Sequence, residues 1–289
     1  MARAEHVSFD LVVASVGRTQ ELERLLDSLT RQTHRTFRVL LVDQTGDDRL
    51  SPVLHAYSAL DVIRLRSERG LSRARNAALG HVHSDIVAFP DDDCVIPPDL
   101  LRQIAGRLVD DPALDGLTGR VADEAGVSSQ SWKRDATILT RDNLWNRAVS
   151  VTIFLRASVV GRVGLFDEQL GLGAGTLWSS GEEIDYLVRA IDQGARIQYD
   201  PDLVVGHPNV TFSSADLCSI GLRDGASVGY ILRKNGYPHR TVARMIARPT
   251  GGAVLALARG DVTRARFQMS TLRGRVAGYG RSKRAQAAS

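Results

Sequence analysis

Three consecutive carboxylates, Asp91, Asp92 and Asp93, follow Pro90 at the end of an apolar run over residues 85–89. Like charges packed this closely repel one another, and a hard cation such as Mg2+ or Mn2+, bound between them and a diphosphate, removes that cost. The plainer reading is a solvated turn in which Asp93 or Asp99 caps the following helix, and the triplet alone does not separate the two. Cysteine offers no alternative metal centre. The chain has only Cys94 and Cys218, far apart in sequence, so a disulfide framework and a cysteine-based zinc site are both excluded and any metal is held by oxygen and histidine.

A carboxylate cluster of this kind needs a sheet to present it, because ligands of open α/β sheets bind beyond the carboxyl ends of the strands. The β-rich run Phe9–Ser15 stops at Gly17, and Thr19 then reads as an N-cap before Leu22, Leu25, Leu26 and Leu29, which share one helix face. Phe37–Asp43 is a second buried strand, placing Asp43 at a strand end like the triplet. Strand, helix, strand opens a parallel sheet. The pattern continues with a strand at 62–65, a helix over Leu71–Leu79, a strand at 85–89, a helix over 100–109 and a strand near 117–121. Residues 122–147 read as loop and short helix, followed by a strand at 151–154, a glycine-rich stretch at 171–175 and a helix whose apolar face is Ile184, Leu187, Val188 and Ile191. Two short strands are expected near Ile197 and Val204.

With 289 residues, 43% hydrophobic and 24% charged, the chain suits one large globular domain or a domain with an appendage, and global disorder is excluded. No run approaches the ~18–20 apolar residues of a membrane span, and the first residues lack a signal-peptide pattern, so the expected location is cytoplasmic. The net charge of +4 hides a division. Residues 1–207 carry 23 basic and 30 acidic side chains, a net of −7, whereas residues 208–289 carry 14 and 3, a net of +11. Such asymmetry suggests that the tail meets an anionic surface. Val262, Ala265, Met269, Leu272 and Val276 recur at helical spacing, bordered by Arg266 and Arg273 on one side and Arg264 and Arg275 on the other. That pattern suits a helix lying peripherally at the inner face of a membrane, near a lipid-linked acceptor; the alternative is a helix packed on its own domain. A nucleic-acid partner is not expected, because the tail has few aromatics and no recognisable module.

The segments VLLVDQTGDD (residues 39–48), RGLSRARNAAL (69–79), DIVAFPDDDCVIPPDLL (85–101), VGLFDEQLGLGAG (163–175), GEEIDYLVRAIDQGARIQYDP (181–201) and VVGHP (204–208) stand in an order that resembles the family 2 glycosyltransferases. The resemblance covers about two thirds of the chain. It implies a GT-A type fold, an α/β architecture with a mostly parallel open sheet flanked by helices, over residues 1–210, with a basic helical C-terminal extension over 211–289. It further implies an inverting, metal-dependent transfer of a sugar from a nucleotide diphosphate sugar to a sugar or lipid-linked acceptor hydroxyl, with Mg2+ or Mn2+ as cofactor, in polysaccharide or glycoconjugate biosynthesis. By the same resemblance Asp43 contacts the nucleobase, Arg75 and Asn76 line the nucleotide, Asp91 and Asp92 meet the donor, and Asp91, Asp93 and His207 hold the metal. Relatives place Glu-Asp at the start of the late helix with Asp as base. Here Glu183 takes that position, between Glu182 and Asp185, which stay in play because the longer side chain shifts the reach. Trp178, on the glycine-rich loop, is a candidate to stack on a sugar or pack a lid. The rival functions are a sugar nucleotidyltransferase and a nucleotide-sugar-binding subunit without turnover. The first is disfavoured by the single Gly and Arg of ASVGRTQ, the turn after the first strand.

Overall fold

The computed structural model describes residues 2–128, 131–209 and 212–286. In chain order the elements are α1 (Ala2–Glu5), β1 (Phe9–Ser15), α2 (Thr19–Thr30), β2 (Phe37–Asp43), α3 (Ser51–Ala56), β3 (Val62–Arg66), α4 (Leu71–Leu79), β4 (Ile86–Ala88), α5 (Leu100–Asp110) and β5 (Gly116–Ala122). They continue with β6 (Thr137–Ile138), β7 (Phe154–Arg156), α6 (Ala157–Val163), α7 (Glu182–Asp192), β8 (Ile197–Gly206), α8 (Ser214–Lys234), α9 (His239–Ala258) and α10 (Val262–Gln286). The chain divides into two compact units, residues 1–166 with 186–209, and residues 167–185 with 210–289. The sequence boundary drawn at 210/211 lies outside the described residues.

The first unit is built on one mixed sheet in the order β3-β2-β1-β4-β7-β5-β8-β6. β3, β2, β1 and β4 run parallel, as do β5 and β8, whereas β7 is antiparallel to both β4 and β5 and β6 is antiparallel to β8. This is the mostly parallel, helix-flanked sheet expected from the sequence. Parallel strands are covered on both faces, which is why β1, β2 and β4 are mostly apolar, with Asp10 of β1 paired to Arg38 of β2. The leucines of α2 at 22, 25, 26 and 29 pack with Phe9, Leu11 and Val13 of β1 and with Ile104 and Leu108 of α5 in one buried core.

Three local expectations change. Thr19 is the first residue of α2, and Arg18 occupies the cap position without a side-chain cap bond. The strand expected at 151–154 is a single 3-10 turn over Ser150–Thr152, closed by the Thr152 N–H and hydroxyl on the Val149 carbonyl at 3.0 Å each, and β7 begins only at Phe154. The two short strands near 197 and 204 are one strand, β8, in which the residues around Pro201 bulge: Thr118 of β5 pairs with Tyr199 and Arg120 with Val204, and pairing resumes beyond the bulge.

The second unit contains the three long helices. Ser213 caps α8 through a reciprocal capping box with Asp216. Glycines at intervals of four let α8 and α10 meet backbone to backbone. A Cβ at Gly225 would lie 2.3 Å from the Thr271 carbonyl oxygen, and one at Gly278 would lie 1.9 Å from that of Ala226. The apolar stripe expected on α10 splits: Ala265 is buried, whereas Val262, Met269 and Val276 are exposed. Arg275, read as a flanking residue, turns to α9 and donates to the Met245 carbonyl; burial, with Arg248 nearby, pushes its guanidinium down to about 10. No described helix is long and apolar enough to cross a membrane.

Because no side chain fits between α8 and α10, Gly225→Val should lower stability by about 2–3 kcal/mol or more, read as a fall in the thermal unfolding midpoint. An unchanged midpoint would show that the helices can separate freely at this contact.

Candidate active site

In the first unit β4 ends at the carboxylate triplet, and each acid meets a different partner. Asp91 lies 3.6 Å from the guanidinium of Arg75, a fully buried residue of α4 that also sits over the rings of Phe89 and Phe166 at 5.8 and 5.4 Å. Asp92 is buried and accepts from the Ser15 hydroxyl at 2.7 Å, with Arg18 at 3.2 Å. Burial pushes its carboxyl up to about 6, the hydrogen bond from Ser15 and the charge of Arg18 opposing and its acidic neighbours reinforcing that rise. Asp93 accepts from Arg18 at 2.6 Å through Oδ2, while its Oδ1 is buried without a hydrogen-bond partner.

His207 faces that orphaned oxygen. The chain after Asp93 is tied to the end of β8 by a two-way backbone bridge between Val95 and Gly206, at 2.9 and 2.8 Å. Only glycine permits it, since a Cβ at 206 would lie 2.9 Å from the Val95 carbonyl oxygen. The next residue, His207, is thereby held with Nε2 3.5 Å from Asp93 Oδ1. Its Nδ1 lies 3.0 Å from the Pro208 carbonyl oxygen, which can only accept, so Nδ1 carries a proton, and in the Nδ1–H tautomer Nε2 presents a lone pair. In that tautomer two acceptors face each other across a short gap. Ligand atoms of Asp91, Asp93 and His207 all lie within 4.8 Å of one another, a hard oxygen and imidazole set that suits Mg2+ or Mn2+. Asp93 and His207 also line a cavity of about 530 Å3 with Arg24, Asp123, Glu124 and Asn209. The Asn209 amide donates to Asp123 at 2.7 Å.

At the end of β2, Asp43 is fully buried and accepts from the Thr45 N–H at 2.8 Å and from Arg64 at 2.6 and 2.9 Å, with Arg66 at 3.1 Å. Burial raises its pKa, but the bonds from Thr45 and Arg64 outweigh it and hold the carboxyl below the usual range. Asn76 clamps the backbone of Phe166 from both sides, donating to its carbonyl at 3.0 Å and accepting from its N–H at 2.7 Å. Sequence reasoning missed Ser15 and Arg18, whose only signal was their place at and just after a strand end. The single arginine of that turn is committed to Asp92 and Asp93.

In the second unit the first turn of α7 carries the three candidate bases. Asp185 is fully buried and accepts from Lys234 at 2.9 Å and from the Asn235 amide at 3.0 Å. Lys234 also donates to Asp167 at 2.7 Å, as does the Tyr230 hydroxyl at 2.9 Å. Burial raises the Asp167 pKa, and Lys234 with Tyr230 more than offsets that. Glu182 is buried and Glu183 half-buried. Trp178 is largely buried, stacked on Tyr230 at 4.8 Å between centroids.

The family model described as "Glycosyl transferase family 2" matches residues 10–163, more than half of the chain. The chain belongs to glycosyl transferase family 2. This family 2 chain is 27% identical over 268 residues to the pre-mycofactocin glycosyltransferase of Mycobacterium tuberculosis, covering 87% of its own length and 52% of that relative. It thus spans about half of that protein. It is 23% identical over 210 residues to the glycosyltransferase AglE of Haloferax volcanii, covering 68% of this chain and 66% of the other. Among solved structures, the mannosyltransferase PcManGT of Pyrobaculum calidifontis, in complex with GDP-Man and Mn2+, shares the fold with a TM-score of 0.62 at 16% identity over 95% of this chain and 88% of that one. TarS of S. aureus, as residues 1–349 in complex with UDP-GlcNAc, does so with a TM-score of 0.58 at 18% identity over 93% and 92%.

The facing acceptors generate a direct expectation. Asp93→Asn and His207→Ala should each weaken Mn2+ binding at least about tenfold in a titration followed by electron paramagnetic resonance, whereas Asp99→Asn, at the exposed start of α5, should not. Equal affinity in all four proteins would remove the metal from this site.

Proposed function

We propose that this family 2 chain transfers a sugar from a nucleotide diphosphate sugar to a hydroxyl of a sugar or lipid-linked acceptor, with inversion at the anomeric carbon, in the synthesis of a polysaccharide or glycoconjugate. The observation that carries the reading is the pair of facing acceptors, Asp93 Oδ1 and His207 Nε2, beside Asp91 at the end of β4 in a chain of this family. A divalent cation held by Asp91, Asp93 and His207 would supply Lewis-acid neutralisation of the departing diphosphate. PcManGT with GDP-Man and Mn2+, and TarS with UDP-GlcNAc, support the donor class and the kind of metal.

The chain's own residues have separable roles. Asp43, kept ionised by Thr45 and Arg64 and fully buried beneath them, would accept from a nucleobase N–H once the turn at Thr45 opens to the donor. Arg18 and Arg75 balance the triplet and keep its carboxylates from repelling the diphosphate outright. Glu183 serves as the base: as the acceptor oxygen attacks the anomeric carbon and the bond to the diphosphate oxygen breaks, the hydroxyl proton passes to its carboxylate. Its place in the first turn of α7 favours the ionised form before the step. Asp185 instead holds that turn through Lys234 and Asn235.

A radiolabelled-donor assay over UDP-, GDP- and dTDP-sugars, combined with thermal shift, tests the reading. Glu183→Gln should keep the donor-induced shift and lose transfer by ~10²–10⁴. Asp185→Asn should lower the unfolding midpoint, because it strips a buried ion pair of one partner. Full transfer by Glu183→Gln would assign the base elsewhere.

A further inference from the structure

We infer that the turn joining α9 to α10 is a docking surface for an anionic lipid bilayer. The run over residues 249–258 carries no charged side chain, yet only part of it is used in packing. Ala253 and Ala256 are buried, whereas Val254, Leu255 and Leu257 are 63%, 51% and 59% exposed. At ~100° per residue Val254, Leu255 and Ala258 fall opposite the two buried alanines, with Leu257 at the edge of the same exposed side beside Ala253. Gly252 lies against Gln268 and Met245 against Arg275, so the two helices form an antiparallel hairpin. The exposed leucines therefore stand beside the first turn of α10, where Val262 is 52% exposed.

The charges around this apolar tip select the occupant. Arg259, Arg264 and Arg266 are exposed around it. Asp261 is the one acid between residues 225 and 289, and its carboxylate accepts the Arg264 N–H at 2.8 Å as the cap of α10. A second copy of the chain would bring like charge against like charge. A bilayer of anionic lipid instead offers hydrocarbon to the leucines and phosphate to the arginines, whose stems can lie along the acyl boundary. Ten uncharged residues are too few to span the membrane but suit insertion of one face into the interface.

The test is co-sedimentation of the full chain with phosphatidylcholine vesicles with and without phosphatidylglycerol, at low and high salt. Binding should require phosphatidylglycerol and weaken with salt as the Debye length falls below about 10 Å. Leu255→Glu with Leu257→Glu should weaken it at least about tenfold. Arg264→Gln with Arg266→Gln should weaken it about thirtyfold at low salt, from roughly fivefold per arginine. Should the glutamates reduce the helical circular dichroism, Val254→Ser with Leu255→Ser takes their place. The inference is overturned by equal binding of wild type and both variants, by no binding to either vesicle, or by a wild-type dimer in sedimentation velocity that the leucine variants convert to monomer.

Discussion

Three adjacent carboxylates at the end of a short buried strand are the constraint on which the first unit depends. At 4 Å, two like charges near a protein surface cost about 4 kcal/mol at an effective dielectric constant of 20, so the triplet persists only with counter-charge supplied from elsewhere. The groups that surround the triplet come from different elements. β1 lies beside β4 and delivers Ser15, and the turn into α2 delivers Arg18; α4 delivers Arg75; the bridge from Val95 to Gly206 delivers His207 from the end of β8. The compensation is uneven. Asp92 is buried and satisfied, whereas Asp93 keeps one buried oxygen facing an imidazole lone pair, the arrangement expected of a site that completes itself with a cation.

The second unit solves a related problem with a cation already in the chain. Lys234, near the end of α8, joins Asp167 to Asp185 and so fixes the start of the loop at 167–181 and the first turn of α7 to one point. Tyr230, one helical turn earlier, donates to Asp167 and stacks on Trp178. The position of Lys234 rests in turn on the contact of α8 with α10, which glycines alone permit. A packing requirement between α8 and α10 thus reaches the residues around Glu183 through a short chain of contacts within one unit.

Much of this was legible in the sequence where one physical signal dominated. The run Phe37–Asp43 coincides with β2 residue for residue because its centre, Val39–Val42, is covered on both faces and apolar, and the polar turn QTGDD cuts the run off sharply. Asp91, Asp93 and His207 were legible through motif order and do meet in space. Ser15 and Arg18 were not, since their partners lie 77 and 75 residues away and a lone serine or arginine after a strand has many uses. The turn at Ser150–Thr152 was hidden because a short apolar run fits a strand and a turn equally. The face of α10 was misjudged because apolar spacing marks a stripe without saying which side meets another helix. Glycines repeating every four residues on α8 and α10 were the better signal, pointing to close backbone approach where the usual reading of glycine is interruption.

The central claim is that Asp93 Oδ1 and His207 Nε2 are closed by a divalent cation. The most direct measurement is an anomalous difference map at the manganese edge, from crystals of the protein with Mn2+ and a nucleoside diphosphate. The account predicts a manganese peak bonded to Asp91, Asp93 and His207 and touching the diphosphate. A bound nucleotide with no manganese between Asp93 and His207, or with manganese held by other side chains, would contradict it.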